Sequence, residues 1–126
     1  MKIVVFVSRE KDQFAELELM LTRNEFNVEW SGTGKDLLSL LSNTPKGEWI
    51  DLVIIEENLP DTDAVSLVKE FIPQSPMTNS VVAGTMDKKD FHDTYEGYGV
   101  LMQFPPKPSA ADAQNLEATL KKIGAI

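Results

Sequence analysis

The chain has 126 residues, a net charge of −8 and no cysteine. That length suits one domain, residues 1–126, with a sizeable core. The acidic balance argues against binding nucleic-acid phosphates, and the missing thiols exclude disulfides, cysteine nucleophiles and cysteine metal sites. A hydrophobic fraction of 42% and a charged fraction of 25% are ordinary for a globular protein and argue against disorder. Met1-Lys2 leads straight into an apolar run with no signal-peptide layout, and no apolar run approaches the roughly 18 residues of a membrane span. No membrane association is expected, and the cytoplasm is the expected compartment. The single histidine, His92, rules out a His-rich metal site and lacks the motif of a Ser-His-Asp triad.

In chain order, Ile3 to Val7 is a continuous apolar run and reads as the first strand. After the polar Ser8-Arg9-Glu10, Asp12 is positioned to N-cap a helix to about Glu25. Phe14, Leu17, Met20 and Leu21 recur along it at helical spacing and form its buried stripe. Phe26 to Trp30 is a short second strand. A turn at Ser31-Gly32-Thr33-Gly34 precedes a helix with Leu37, Leu38 and Leu41 inward, and Asn43 to Gly47 is a connector. Leu52 to Ile55 is a third strand, apolar throughout, as expected for a strand buried on both faces of a parallel sheet.

After Pro60-Asp61-Thr62-Asp63 the spacing predicts a helix burying Val65, Val68, Phe71 and Ile72 and ended by Pro73 and Pro76. Ser80 to Thr85 is a fourth strand, Asp87 to about Tyr98 a shorter helix, and Val100 to Phe104 a fifth strand. Pro105-Pro106-Lys107-Pro108 is a stiff loop. A last helix from about Ser109 to Ile123 buries Ala113, Leu116, Leu120 and Ile123 and stops at Gly124. Five β–α repeats with short connections make a parallel sheet covered by helices on both faces.

Loops at the carboxyl ends of such strands carry the working site. Here the third strand delivers Glu56, Glu57, Asn58, Asp61 and Asp63 to that edge. With Glu48 and Asp51 these acids lack the Asp/Asn-Gly alternation of a calcium loop, and a solvated acidic loop is the better account. Gly32-Thr33-Gly34-Lys35 lacks the upstream glycine of a phosphate loop, and Asp36 stands where a hydroxyl should bind the metal, so it reads as a turn and helix start. His92 reads as a surface residue.

From Ile3 to Ile123 the chain resembles a response-regulator receiver domain, the phosphoacceptor module of two-component signalling. The stretch Asp51-Leu-Val-Ile-Ile-Glu-Glu-Asn-Leu-Pro-Asp-Thr-Asp63 is similar to the family's strand that ends in the phosphorylated Asp before a Met/Leu-Pro step. Gly34, Thr85, Phe104 and Lys107-Pro108 fall where the family keeps a glycine, a Ser/Thr, an aromatic and a Lys-Pro step, the last commonly cis. The resemblance implies a doubly wound, flavodoxin-like sheet of five parallel strands in the order 2-1-3-4-5. It also implies a partner face on the fourth helix, fifth strand and last helix. Lys88, Lys89, Phe91, Tyr95 and Tyr98 would stand on that face, with Lys121 and Lys122 at its edge.

The departures from the family pattern set the functional expectation. The phosphoacceptor position is Glu56, not Asp. The acidic pair that holds Mg²⁺ falls on Ser8 and Arg9, or on Val7 and Ser8 if the register slips by one; the small residue after Thr85 is Met86. Magnesium needs near-octahedral oxygen ligands, and phosphoryl transfer rests on positioning and charge neutralisation. Glu56 reaches about 1 Å too far, a misplacement worth on the order of 10²-fold. The expectation is a stand-alone pseudo-receiver, not an enzyme and without metal or cofactor, that signals by protein contact; a homodimer stays open. A Glu56–Lys107 pair would hold it in an active-like state. The alternative is a phosphoacceptor of a phosphorelay with a rearranged magnesium site. A flavin binder would need a Ser/Thr/Gly-rich loop after the first strand, which Ser8-Arg9-Glu10-Lys11-Asp12 is not.

Overall fold

Apolar residues alternate sides along the strands, and this alternation builds two separate cores. The computed structural model describes residues 2–126. Strands β1 (Lys2–Val7), β2 (Phe26–Ser31), β3 (Leu52–Glu56), β4 (Asn79–Ala83) and β5 (Val100–Phe104) alternate with helices α1 (Ala15–Arg23), α2 (Gly34–Ser42), α3 (Ala64–Phe71), α4 (Lys88–Tyr95) and α5 (Ala110–Lys122). All neighbouring strands pair in parallel, in the order β2-β1-β3-β4-β5. This is the doubly wound sheet that the five β–α repeats predict.

Val4, Phe6, Leu52, Ile54, Val81, Ala83 and Phe104 face one layer, where they meet Phe14, Leu17, Met20 and Leu21 below and along α1, and Leu116 of α5. The alternating partners Val5, Val7, Val53, Ile55 and Val82 face the other, against Leu37 of α2, Leu67, Val68 and Phe71 of α3, and Tyr95 of α4. Because successive side chains point to opposite faces, a run apolar at every position is what two covered faces require.

Several boundaries differ from the sequence reading. Asp12 is not a cap. Lys11–Phe14 forms a 3-10 turn and α1 starts at Ala15. The Gln13 N–H bonds the Glu10 carbonyl at 3.2 Å, an i to i+3 contact that tightens the chain before the helix begins. At its other end α1 stops at Arg23, two residues short, and Glu25 takes a left-handed φ of 67° that no helix can continue. Leu67 and Ala64, not Val65 and Ile72, are the fully buried residues at the start and middle of α3. Ile123 lies beyond the end of α5 and is 47% exposed.

Thr33, Asp63, Asp87 and Ser109 cap α2, α3, α4 and α5, each accepting the N–H three residues on. Ser109 and Asp112 form a reciprocal capping box. No helix is long and apolar enough to cross a membrane among the described residues.

Leu67→Ala should lower unfolding free energy by about 2–5 kcal/mol, as a cavity in a filled core does. Ile123→Ala should change it by no more than about 0.5 kcal/mol. Urea unfolding of the two variants measures the contrast, and equal losses would contradict the burial pattern.

Candidate functional site

The carboxyl edge of the sheet gathers the loops after β1, β3, β4 and β5. Glu56 ends β3 opposite Ala83 of β4, on the same face as Ile54. Its carboxylate accepts a hydrogen bond from the Ser8 hydroxyl at 2.9 Å. Ser8 is 2% exposed. Its oxygen also accepts the Glu10 N–H at 2.9 Å and the Gln13 side-chain amide at 3.3 Å. One hydroxyl has one donor and two acceptor positions, so Ser8 is fully committed. Arg9 is exposed, and with Glu10, Glu56, Asn58, Leu59 and Pro60 it lines a shallow cleft of about 220 Å³.

This donor set does not fit Mg²⁺. The position the resemblance assigns to a ligating acid is a saturated serine, and its neighbour Arg9 carries a cation to the cleft. Among the described residues no three His, Cys, Asp or Glu side chains converge as a metal site. Glu56 lines this cleft beside Arg9 and Glu10, and its Oε2 is already taken by the Ser8 hydroxyl.

The expected Glu56–Lys107 pair is not formed. Glu56 turns to Ser8, Lys107 is exposed, and no ion pair joins the two among the described residues. An exposed ammonium gains little from a distant carboxylate, because water screens the attraction. The Lys107–Pro108 bond is trans, as is every other peptide bond described, so the cis bond implied by the resemblance is absent. Pro108 itself is buried.

Glu57, not Glu56, reaches the loop between β4 and α4. Its Oε2 accepts the Thr85 N–H at 2.6 Å, and its own N–H donates to the Ala83 carbonyl at 2.9 Å. Space for that carboxylate exists because residue 84 is glycine: a Cβ there would overlap the Glu57 carboxylate. This explains why β4 ends at Ala83 and leaves Thr85 outside the strand. After the Gly84 N–H bonds the Phe104 carbonyl at 2.8 Å, the next N–H is taken by a side chain. The following residue is pinned too. The Gln103 side chain accepts the Met86 N–H at 3.2 Å and donates to the Met86 carbonyl at 2.7 Å. Gln103 was legible as the one polar residue in the Val100–Phe104 run; Glu57 carried no signal beyond its neighbour's.

Thr85 is exposed, whereas Phe104 is buried among the residues that face α1 and α5. The structure therefore places these two side chains in different surroundings, linked through the Gly84–Phe104 backbone bond. Met86 is half-buried against the α2, α3 and α4 layer.

On the fourth helix the aromatic residues pack inward rather than forming an exposed patch. Tyr95 is 4% exposed, Phe91 packs against it with ring centroids 5.0 Å apart, and half-buried Tyr98 lies under the Lys69 ammonium at 5.8 Å. The Tyr95 ring is therefore not available to a partner. Tyr95 is the fully buried residue of α4 and, with half-buried Phe91, packs the helix against the core. Its hydroxyl has no hydrogen-bond partner among the described residues. Burial, followed by the negative charges of Glu57 and Asp63, pushes the phenol up to about 12. Lys88, Lys89 and His92 are exposed, and so are Lys121 and Lys122 of α5.

The acidic loop is not merely solvated. Asp61 accepts the Gly34 and Lys35 N–H groups, one on each oxygen, both at 3.0 Å. It therefore occupies the N-terminus of α2, where an anion would otherwise sit. Those bonds hold its carboxyl below the ordinary aspartate range. Gly34 is required at this crossing, since a Cβ would stand 2.6 Å from the Thr62 methyl. Asp63 caps α3 through the Ser66 N–H at 2.8 Å, and Asp51 accepts the Ile3 N–H at 2.8 Å.

With fold and edge described, the class of architecture is that of response-regulator receiver domains. A response regulator receiver domain protein (CheY-like) from Methanospirillum hungatei JF-1 matches with a TM-score of 0.76 and 15% identity, over 97% of this chain and 95% of its own. A two-component response regulator from Clostridium difficile matches at 0.77 and 15%, over 98% and 95%. A response regulator from Thermotoga maritima matches at 0.77 and 20%, over 100% and 99%. Neither a family model nor a curated protein matches the chain. At such identities the likeness establishes the fold, and function has to be argued from the residues.

Gly84→Ala should expel the Glu57 carboxylate and free the Thr85 N–H, at a cost of about 1–3 kcal/mol. Glu57→Ala should remove the same bond, so the double variant should lose clearly less than the sum. A double-mutant cycle by urea unfolding, with hydrogen exchange at Thr85, tests this; additive losses would show that the two residues act separately.

The Asp61 clamp should be fully present above the ordinary aspartate range and be lost as pH falls through its lowered folded value. Carbon-detected NMR titration of the Asp61 carboxyl should give a midpoint below that of an unstructured aspartate, with faster Gly34 and Lys35 amide exchange below the midpoint. A midpoint at the ordinary value would contradict the clamp.

Proposed function

We propose that this protein is a receiver-type signalling module that acts through contact with a protein partner and is not phosphorylated at Glu56. The observation that carries this reading is the saturated Ser8–Glu56 pair, in the place where a phosphoacceptor edge needs free carboxylates around a cation. A one-methylene extension and a neighbouring guanidinium both work against phosphoryl transfer at this position. The reading is that of a non-enzymatic protein.

In a receiver-like module of this kind, the arrangement of the loop before α4 sets the partner surface. Here that loop is tied from within by Glu57 and Gln103. A carboxylate already bonded to the Thr85 N–H stands in for an external anion, so the surface needs no covalent signal. Exposed Lys88, Lys89 and His92, with Asp90, Asp93 and Glu96 between and beyond them, give α4 a mixed-charge outer face. Such a face suits a partner of complementary charge pattern, with Phe91 and Tyr98 reached only at their exposed edges.

The test is an amide NMR titration with Mg²⁺ and beryllofluoride, which stands in for a transferred phosphoryl group. The amides of Glu56, Thr85 and Lys107 should not move. A saturable, Mg²⁺-dependent shift at these positions would overturn the proposal and make the chain a working phosphoacceptor with unusual ligands.

A further inference from the structure

A concavity lies at the opposite end of the sheet from Glu56. It encloses about 560 Å³ between the start of β1, the edge strand β2, the end of α2 and the loop leading into β3. That volume falls in the roughly 300–1,000 Å³ range of small-molecule sites. Ile3, Leu40 and Ile50 supply apolar wall, and the Trp49 side chain, 44% exposed, stands beside them. Trp49 belongs to neither core layer. A large indole left outside the core, on the wall of a cavity, is an unused contact surface.

Among the described residues the charged groups of the cavity have one sign: Glu29, Glu48 and Asp51 line it, and no lysine, arginine or histidine does. The frame around them is held by backbone pairing. Asp51 donates its N–H to the Ile3 carbonyl at 3.0 Å while its carboxylate accepts the Ile3 N–H at 2.8 Å. The Thr44 hydroxyl caps the Leu40 carbonyl at 2.8 Å. Apolar wall, an available indole face and three carboxylates are the complement of a positive charge on an apolar body.

We propose that this cavity binds a small organic cation, an ammonium carried on an aromatic or branched apolar group. The ammonium lies toward Glu29, Glu48 and Asp51, and the apolar body lies against Ile3, Leu40 and Trp49. This site is independent of the reading of Glu56: the two stand at opposite ends of β3, and either can fail without the other.

The test uses three probes of one shape: phenethylammonium, phenethyl alcohol and phenylacetate. Each is titrated into the labelled protein, observing the Trp49 indole N–H and the amides of Thr44 and Asp51. Phenethylammonium should give saturable shifts confined to this end of the sheet. The alcohol should bind about tenfold more weakly, and the anion more weakly still. In the double variant Glu29→Gln, Glu48→Gln the ammonium should weaken toward the alcohol, with alcohol binding unchanged; both glutamates are exposed, and unchanged amide shifts elsewhere report that the fold is kept. No saturable shift with the ammonium, equal binding of all three probes, or binding untouched by the double variant would each overturn the proposal.

Discussion

Backbone N–H groups buried at the loops of a parallel sheet need acceptors, and at several loops of this chain carboxylates are among those that supply them. Asp51 takes the N–H of Ile3, Asp61 those of Gly34 and Lys35, Asp63 that of Ser66 and Glu57 that of Thr85. Each bond joins a loop to an element distant in sequence or starts a helix. Together they decide where α2, α3 and α4 begin, and so the shape of the edge that such a fold uses for function. A bond from N–H to an ionised carboxylate is stronger than a neutral one, which suits these acids to loops with few buried apolar contacts.

The same bonds limit the chemistry available. A carboxylate that caps backbone is held in one direction and is not free to gather around a cation. Glu57 and Asp61 are spent in this way, and Glu56 is paired to a serine with no remaining hydrogen-bonding capacity. Among the described residues, no three of these acids converge on one point. Glycine makes the arrangement possible at two points: residue 34, where α2 crosses the loop after β3, and residue 84, which leaves room for the Glu57 carboxylate. Any side chain at either position would push apart the segments that the carboxylates draw together.

Charge and packing separate the two ends of the sheet. At the carboxyl edge, Gln103 and Glu57 stiffen the approach to a helix held by Tyr95 and half-buried Phe91. At the amino edge, a loop carrying an exposed tryptophan leaves a cavity open beside the start of β1. The central strands between them, covered on both faces, give a rigid frame on which these two regions can differ independently.

The sequence by itself determined the architecture. Unbroken apolar runs at Ile3–Val7 and Leu52–Ile55, helical stripes such as Leu17, Met20 and Leu21, and short connections leave little choice but a doubly wound parallel sheet, because burial on two faces and period of repetition are properties of the local chain. The resemblance to receiver domains sets Ser8, Arg9 and Glu56 against a phosphoacceptor pattern, an expectation that the proposed function takes up. Only the tertiary structure decided which acid points where. Glu56 and Glu57 are adjacent and chemically alike, yet the pleat sends one to Ser8 and the other over Gly84. Tyr95, which the resemblance would set on the partner face, is a core contact of α4, and Lys107 stayed in solvent. Partners separated by tens of residues, as Asp61 and Gly34 are, meet through topology and register, and no local pattern in the chain encodes that meeting.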